Sequence, residues 1–428
     1  MNLRLFVWGI VCGCLSGSCI SMHGQTTAAS EPPSQRTVAA AIPRMPDPLG
    51  PYGIGRVGYD WTDSTRPDRF ASNPAAQREL MVYFWYPTRG KADGVKGSYL
   101  PGAAEMDRVP EIQREMRGEF AGNWPLIVDG AIFSHAVEHA AVTRKPSKLP
   151  MILLSHGSGG TGFEYTALIE YLVSHGYVVA SIEHTETAAA VLFPDGRIIS
   201  FHRDSAPPGL SQEEQFKRMV QSATLGIEEG AGDVRFVLNR LTDLSQGDGR
   251  DFVLAGRLDL TRVVAMGHSA GAEFAARACE LDARFKACID LDGGMVPVAA
   301  LPVAPDGETM KQPLLFLEAY HPESRMGGTH EQHVEYFKKR EEQLESCPKG
   351  TYAVVLRSPG IMHGSFSDYA LLSAAGRSEE VGQALHNLDQ VEAFTSAFLD
   401  RTLNHEKGTL LAGGMESHPE ADVVAYGH

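Results

Sequence analysis

Cysteine is scarce in this sequence of 428 residues, and half of its cysteines lie at the start. Three internal cysteines allow at most one disulfide in an exported chain, and no Cys-x-x-Cys or Cys/His cluster has zinc spacing. These features exclude a disulfide-built scaffold and a zinc-binding domain. We expect the internal cysteines to be core residues, with one pair able to bridge. The six are Cys12, Cys14, Cys19, Cys279, Cys288 and Cys347.

The sequence also lacks an excess of positive charge and any long apolar run beyond its first residues. Its net charge of -15 argues against binding of nucleic acid and against electrostatic docking on anionic lipid. No later run is long enough to cross a membrane. With 43% hydrophobic and 21% charged residues, the composition is that of a globular protein with a sizeable core.

The first residues are typical of an export leader. Arg4 precedes an apolar stretch over residues 5–15, and small residues follow at 16–18. We therefore predict an export signal or lipoprotein leader over residues 1–23, with a buried N-terminal strand as the alternative. Cys14 and Cys19 each lie in a loose lipoprotein cleavage box. We therefore expect an exported protein, which is periplasmic, secreted or an envelope lipoprotein.

The remaining chain predicts one α/β domain between two flexible ends. Residues 24–45 are rich in Thr, Ala, Ser and Pro and predict a flexible tether, and residues 405–428 predict a loose tail. Between them, over 46–404, strands alternate with helices, which indicates a mostly parallel sheet with helices on both faces. Strands are predicted at 78–86, 150–154, 177–182, 262–266, 286–291, 313–317 and 352–356. Helices are predicted at 103–123, 165–174, 213–220, 233–244 and 390–403.

Residues 267–271 (G-H-S-A-G) form the most informative motif. A buried strand precedes Ser269 and a small-residue helix follows it, which is the context of a nucleophile elbow. Side chains at Gly267 and Gly271 would collide with the neighbouring helix and strand, and the helix N-terminus behind the serine favours an oxyanion. The alternative is an incidental serine in a glycine-flanked turn.

A nucleophilic serine needs a base and an acid, which follow it in the order Ser, acid, His in this kind of motif. His363 is favoured as the base because a short loop joins it to the strand at 352–356. The other candidates after the serine are His321, His330, His333, His386 and the histidines of the tail. His330 and His333 could share a metal on one helix face, but without an evident third ligand we expect both to be surface residues.

The candidate acid is Asp292, which ends the strand at 286–291 before a glycine turn. Asp290 lies two residues earlier and deeper in the sheet, where an unpaired charge is costly. Glu318 ends the next strand. On the residues alone, Asp290 and Glu318 remain alternative acids. A further alternative is that Asp292 only caps a turn.

Residues 156–160 (H-G-S-G-G) predict the second part of an oxyanion hole, the first being the N–H of Ala270. Glycines in this loop let backbone N–H groups converge on a carbonyl oxygen. A phosphate-binding loop is the alternative, but the Lys-Ser/Thr of a P-loop is missing.

Several segments together resemble the platelet-activating-factor acetylhydrolase family of the plasma and intracellular α/β-hydrolase type and its bacterial relatives. The resemblance runs from about residue 48 to about residue 403. The matching segments are 50–55 (G-P-Y-G-I-G), 154–157 (L-S-H-G), 174–180 (S-H-G-Y-V-V-A), 183–184 (E-H), 267–269 (G-H-S), 287–292 (A-C-I-D-L-D) and 362–368 (M-H-G-S-F-S-D).

This resemblance implies an α/β-hydrolase fold and a serine esterase that needs neither a metal nor a cofactor. It implies that Ser269 is the nucleophile, that Asp292 rather than Glu318 orients His363, and that Ser158 and Ala270 donate backbone N–H groups to the oxyanion. The residues expected to support the site are His156, Gly157, Gly267, His268 and Gly271.

The expected substrates are small esters with short acyl chains, platelet-activating-factor-like phospholipids among them. Animal members of the family carry an apolar docking helix, whereas residues 110–115 here are polar (P-E-I-Q-R-E). Membrane association is therefore expected only through a lipid anchor. The alternatives are a carboxylesterase acting on plant or polymer esters and a hydrolase-fold binding protein without catalysis.

Overall fold

A computed structural model describes residues 44–427 of the protein, apart from 72, 74, 91–93, 121, 203–206, 208, 247–250, 294–309, 322–329, 407 and 413–418. The predicted leader and nearly all of the predicted tether lie outside the described residues. Met45, in the last part of that tether, is buried in the core. The boundaries of the 46–404 domain stay predictions.

The described strands follow the predicted positions, with further strands at both ends of the chain. They are β1 Gly53–Pro67, β2 Gln77–Thr88, β3 Lys96–Ser98, β4 Phe133–Glu138, β5 Leu149–Ser155, β6 Val178–Glu183, β7 Ala190–Leu192, β8 Ile198–Ser200, β9 Leu258–His268, β10 Phe285–Leu291, β11 Leu314–Ala319, β12 Thr351–Leu356 and β13 Ala421–Tyr426.

Eleven of these described strands form one sheet in the order β13-β12-β11-β10-β9-β5-β6-β2-β1-β4-β3. The six strands from β12 to β6 are parallel, whereas β2 and β13 add to either side in antiparallel orientation. The carboxyl ends of the parallel strands therefore meet at one edge, where loops from β5, β9, β10, β11 and β12 come together.

Helices cover both faces of the sheet, as predicted. They are α1 Ala103–Met106, α2 Pro110–Glu119, α3 Trp124–Val128, α4 Thr166–Ser174, α5 Gln212–Gln246, α6 Ala270–Leu281, α7 His330–Ser346, α8 Tyr369–Ser373 and α9 Ser378–Leu403. Short 3₁₀ helices lie at Gly162–Tyr165, His363–Phe366 and Leu410–Ala412.

The core has two halves because the central strands are buried on both faces. On β5, Ile152 and Leu154 pack toward α4 and α9, while Met151 and Leu153 pack toward α5 and α6. Cys279, Cys288 and Cys347 lie in the second half as free, buried thiols, in keeping with the expected core role. In the part of the chain that is described, no helix is long and apolar enough to cross a membrane.

The structure corrects the predicted helices at 213–220 and 233–244, which are one continuous helix, α5. Three glycines lie between the two predicted segments, although glycine weakens a helix interior. Two of these glycines are needed for packing. A Cβ on Gly230 would lie 2.3 Å from the ring of Phe274, and one on Gly232 would lie 2.5 Å from the guanidinium of Arg66.

The prediction of a loose tail over residues 405–428 is also wrong for its last part. The backbone of β13 pairs with β12 along its whole length, from Ala421 opposite Leu356 to Tyr426 opposite Thr351. This pairing satisfies backbone groups that an edge strand would otherwise leave to water.

Candidate active site

The turn at Ser269 has the geometry of a nucleophile elbow. Ser269 has φ 55° and ψ -127° and is the N-cap of α6, although its side chain does not cap that helix. A Cβ on Gly267 would lie 2.0 Å from the carbonyl oxygen of Gly271, and one on Gly271 would lie 2.3 Å from that of Ser155. Both glycines are therefore required where the strand, turn and helix approach each other, as predicted.

Asp292 and His363 meet at the same sheet edge. Asp292 follows β10, and its Oδ2 accepts a hydrogen bond of 2.6 Å from Nδ1 of His363, which opens the 3₁₀ helix after β12. The other oxygen, Oδ1, accepts the N–H of Ala319 at 2.9 Å. Burial alone would raise the pKa of Asp292, but the hydrogen bonds from His321 and His363 hold it below its usual range. The carboxylate therefore stays ionised beside the imidazole.

The two rival acids have other partners. Asp290 is buried and accepts the N–H of Gly293 at 2.7 Å, and burial raises its pKa to about 7. Glu318 forms an ion pair of 2.5 Å with Arg340. Of the three candidate acids, Asp292 is the one that the structure joins to His363.

The loop after β5 lies directly against the elbow. A Cβ on Gly157 would lie 3.3 Å from the Cβ of Ser269. The N–H of Gly159 donates to the carbonyl oxygen of Thr187, and the N–H of Gly160 donates to that of Gly157. Among the described residues the N–H of Ser158 has no protein acceptor. Ala270 is the first residue of α6, so its N–H belongs to the open end of that helix.

His156 forms hydrogen bonds with this loop and with the residue after β6. Its Nδ1–H donates to the carbonyl oxygen of Gly157 at 2.8 Å, and its Nε2 accepts the N–H of His184 at 3.1 Å. Burial lowers the pKa of His156 to about 3, so the ring is neutral at physiological pH. His156 thus contacts the loop after β5, and its role in supporting the site stays a prediction.

His268 connects the loop to His363 through Tyr165, a residue that sequence reasoning missed. The Tyr165 hydroxyl accepts the N–H of Gly157 at 3.1 Å and lies 2.8 Å from Nδ1 of His268. His268 Nε2 lies 3.1 Å from the carbonyl oxygen of His363, and burial lowers the pKa of His268 to about 3. A neutral ring that donates through Nε2 must accept at Nδ1, so Tyr165 donates to His268.

His321 is the second residue that sequence reasoning did not place in the site. It follows β11 by two residues, and its Nε2 lies 3.1 Å and 3.2 Å from the two oxygens of Asp292. The sequence signal that could have placed His321 in the site is its position after a parallel strand. Tyr165 lies in a segment predicted to be helical, and no sequence signal points to its contacts.

A second Ser-His-Asp arrangement lies next to the loop after β5. Ser155 Oγ is 2.9 Å from Nε2 of His184, whose Nδ1 is 3.0 Å from Oδ2 of Asp233. Asp233 also binds Arg78 at 2.8 Å and Arg66 at 2.7 Å. Because Ser155 is fully buried, this set is closed to a substrate and joins β5, β6 and α5 instead.

Metal binding finds no support in the described part of the chain, where no group of three suitable ligand residues occurs. His330 and His333 both lie on α7, but their side chains lie outside the described residues. Their predicted place at the surface stays a prediction. His386 is exposed and pairs with Glu420 rather than with Asp292.

Several known proteins with a similar sequence or structure are named as esterases or acetylhydrolases. A probable 1-alkyl-2-acetylglycerophosphocholine esterase of Arthroderma benhamiae is 24% identical in an alignment of 417 positions that covers 90% of this chain and 95% of that protein. A platelet-activating factor acetylhydrolase of Cavia porcellus is 27% identical in an alignment of 288 positions that covers 61% of this chain and 59% of that protein.

Among solved structures, a ferulic acid esterase from Streptomyces cinnamoneus superposes with a TM-score of 0.65 at 26% identity, covering 90% of this chain and all of that one. The mostly parallel sheet with helices on both faces is thus an α/β-hydrolase fold, as the resemblance implied. The family described as platelet-activating factor acetylhydrolase, isoform II, matches residues 43–392, and the chain belongs to this family.

Proposed function

We propose that this protein is a serine esterase that hydrolyses esters with short acyl chains through an acyl-enzyme on Ser269. The single observation that carries the proposal is the 2.6 Å hydrogen bond between Asp292 and His363 Nδ1 at the sheet edge that also carries the strained serine. Carboxylic ester hydrolysis follows from the family to which the chain belongs.

In the proposed reaction, His363 takes the proton of Ser269 while the serine oxygen attacks the ester carbonyl carbon. Because Asp292 accepts the Nδ1–H of His363, the Nε2 of the neutral ring is the nitrogen that can act as the base. The N–H groups of Ser158 and Ala270 stabilise the oxyanion. The imidazolium then protonates the leaving alkoxide, and a water activated by the same histidine releases the acid.

For the substrate, we propose small esters with an acetyl or similarly short acyl group, phospholipids of the platelet-activating-factor type among them. The names of the relatives from Arthroderma benhamiae and Cavia porcellus support this choice. Helix α2 buries Ile112 and Met116 in the core and presents polar side chains elsewhere, so it offers little apolar surface to a bilayer. The proposed substrate is therefore a dispersed molecule rather than a lipid within a membrane.

A second candidate function is hydrolysis of plant-derived or polymer esters with the same machinery. The solved ferulic acid esterase from Streptomyces cinnamoneus, which aligns with 90% of this chain, favours this second candidate. A comparison of acetyl, butyryl and feruloyl esters separates the two candidates by their kcat/KM values.

We further propose export through the leader at residues 1–23, with lipid attachment at Cys14 or Cys19 as the route to a membrane surface. Mass spectrometry of the protein recovered from its host would reveal the processed N-terminus and any attached acyl chains.

The test of the catalytic proposal is the hydrolysis of p-nitrophenyl acetate by the wild type and by Ser269→Ala. We expect the variant to lose at least about 10³-fold in kcat, because the nucleophile is gone and only binding and the oxyanion donors remain. A fluorophosphonate probe should label the wild type and not the variant. Equal hydrolysis by both proteins would contradict the proposal, and equal unfolding temperatures would show that the fold is intact.

A further inference from the structure

The acid of the site is bound by two imidazoles rather than by one. Oδ2 of Asp292 accepts from His363 Nδ1 at 2.6 Å, and Nε2 of His321 reaches both carboxylate oxygens at 3.1 Å and 3.2 Å. With the N–H of Ala319 on Oδ1, every oxygen of the carboxylate has at least two partners. The carboxylate is therefore fixed in rotation as well as in position.

The two imidazoles differ in the nitrogen that they turn to the acid. His363 is held through Nδ1, which leaves its Nε2 for the nucleophile, whereas His321 is held through Nε2. The side chain of His321 is 39% exposed and that of Asp292 is 3% exposed. His321 thus covers the carboxylate from the solvent side, on the loop after β11, while His363 approaches it from the loop after β12.

The groups around His321 favour its charged form. The hydrogen bond to Asp292 raises the pKa of His321 against the effect of partial burial, and Glu318 raises it further, while His363 lowers it. Arg340 is paired with Glu318, and the Arg357 guanidinium lies 4.0 Å from the ring centre of the adjacent Tyr320. The carboxylate therefore lies between His363, which acts as a base in its neutral form, and an imidazole whose charged form this carboxylate favours.

We propose that His321 is a positioning residue, which holds Asp292 in the orientation that accepts the Nδ1–H of His363 and whose positive charge sets the pH at which His363 becomes a base. This proposal rests on the catalytic roles given above to Ser269, Asp292 and His363. A cation on the same carboxylate disfavours protonation of the neighbouring imidazole. His321 therefore extends activity toward lower pH, and it does so without touching the ester.

Two substitutions separate the hydrogen bond from the charge. His321→Gln places an amide N–H near the position of Nε2 but cannot become cationic, whereas His321→Leu removes both. The control is His386→Gln, because His386 also pairs with a carboxylate, that of Glu420 at 2.8 Å, but is exposed and makes no described hydrogen bond to Asp292. All four proteins are compared by kcat and KM for p-nitrophenyl acetate between pH 5 and pH 9 and by thermal unfolding.

We expect His321→Gln to move the acid limb of the rate profile to higher pH by about 0.5–1 unit, with the plateau kcat within about threefold of the wild type. His321→Leu should show the same shift and lose about tenfold in kcat at unchanged KM, because Asp292 is no longer held. The control should match the wild type. An unshifted acid limb in His321→Gln would overturn the proposal, as would wild-type kcat in His321→Leu.

A second readout is independent of turnover. The Nδ1 proton of His363 should give a low-field NMR signal whose titration midpoint moves to higher pH in His321→Gln. If the wild type lacked Ser269-dependent hydrolysis, the catalytic proposal would fail, and the NMR titration would still decide whether His321 controls the protonation of His363. An unchanged midpoint would overturn the inference about His321.

Discussion

Ser269 adopts a backbone conformation that residues with a side chain rarely adopt, with φ 55°. The surroundings hold it there, since its N–H donates to the carbonyl oxygen of Leu291 at 3.1 Å and its own carbonyl accepts the N–H of Ala272 at 3.0 Å. The flanking glycines allow the strand and helix to approach closely enough for these bonds. Strain of this kind is concentrated at functional sites, where the fold maintains it.

The glycine before His268 is therefore expected to be intolerant of a side chain. Gly267→Ala would place a methyl group 2.0 Å from the carbonyl oxygen of Gly271 and should lower the free energy of unfolding by about 2–4 kcal/mol. Gly226→Ala is the matched control, because nothing lies within 4 Å of its added methyl on α5 and a helical alanine should stabilise by about 0.5–1 kcal/mol. Urea denaturation of both variants measures the difference, and equal stabilities would contradict the packing argument.

The residues that the sequence could identify are those in a recognisable local pattern. Ser269 lies in a strand-turn-helix motif, and Asp292 and His363 each follow a strand by a short distance. His321 follows a strand in the same way, but its partner is known only once the loops of β10 and β11 are brought together. Tyr165 has no such pattern, because its hydroxyl contacts arise from packing between distant segments.

At the scale of elements, β13 stabilises the strand that precedes His363. It pairs with β12, and Glu420, just before it, accepts the N–H of Arg357 at 2.6 Å. Asp422 adds an ion pair with the side chain of Arg357 at 2.6 Å. Both partners of that pair are about half exposed, so the ion pair itself contributes little.

Removal of residues 419–428 should therefore have a larger effect than loss of the ion pair alone. We expect the truncated protein to unfold about 5 °C or more below the wild type, because β12 loses its antiparallel neighbour. Asp422→Asn, which keeps the strand, should unfold within about 2 °C of the wild type. Calorimetry of the two variants checks this order, and a truncation as mild as the point variant would show that β13 is dispensable.

Elements were predictable from the sequence where apolar residues follow one period. The central strands β5, β6, β9, β10, β11 and β12 were all anticipated within a few residues. In contrast, the 15-residue β1 contains glycines and charges and becomes a strand because β2 pairs with it from Gly53 to Pro67. The unbroken α5 and the edge strand β13 likewise depend on neighbours that local propensity does not include.

For the molecule as a whole, buried carboxyl groups set the dependence of stability on pH. Burial raises the pKa of Glu183 to about 8, and also that of Asp368 to about 8. In the unfolded chain such groups ionise near their ordinary pKa of about 4. Between these values the folded protein holds protons that the unfolded chain has released, so stability falls as pH rises.

We therefore expect the unfolding temperature to decrease between pH 6 and pH 8, and to decrease less in Glu183→Gln. The amide keeps an oxygen that can accept the N–H of Gly162, now bound at 2.9 Å, but it has no proton to lose. The exposed Glu111→Gln serves as the control. Thermal unfolding across this range measures the slopes. A Glu183→Gln slope equal to that of the wild type would show that Glu183 does not carry the effect.

The path of hydrogen bonds from Gly157 through Tyr165 and His268 to the carbonyl of His363 has a mechanical consequence. These bonds connect the loop after β5 with the loop after β12, and the donor and the acceptor of each bond are fixed. Because a neutral imidazole cannot exchange its donor and acceptor sides without breaking both contacts, these bonds allow one relative arrangement of the two loops. Loss of either contact of His268 would leave the two loops joined only through the rest of the fold.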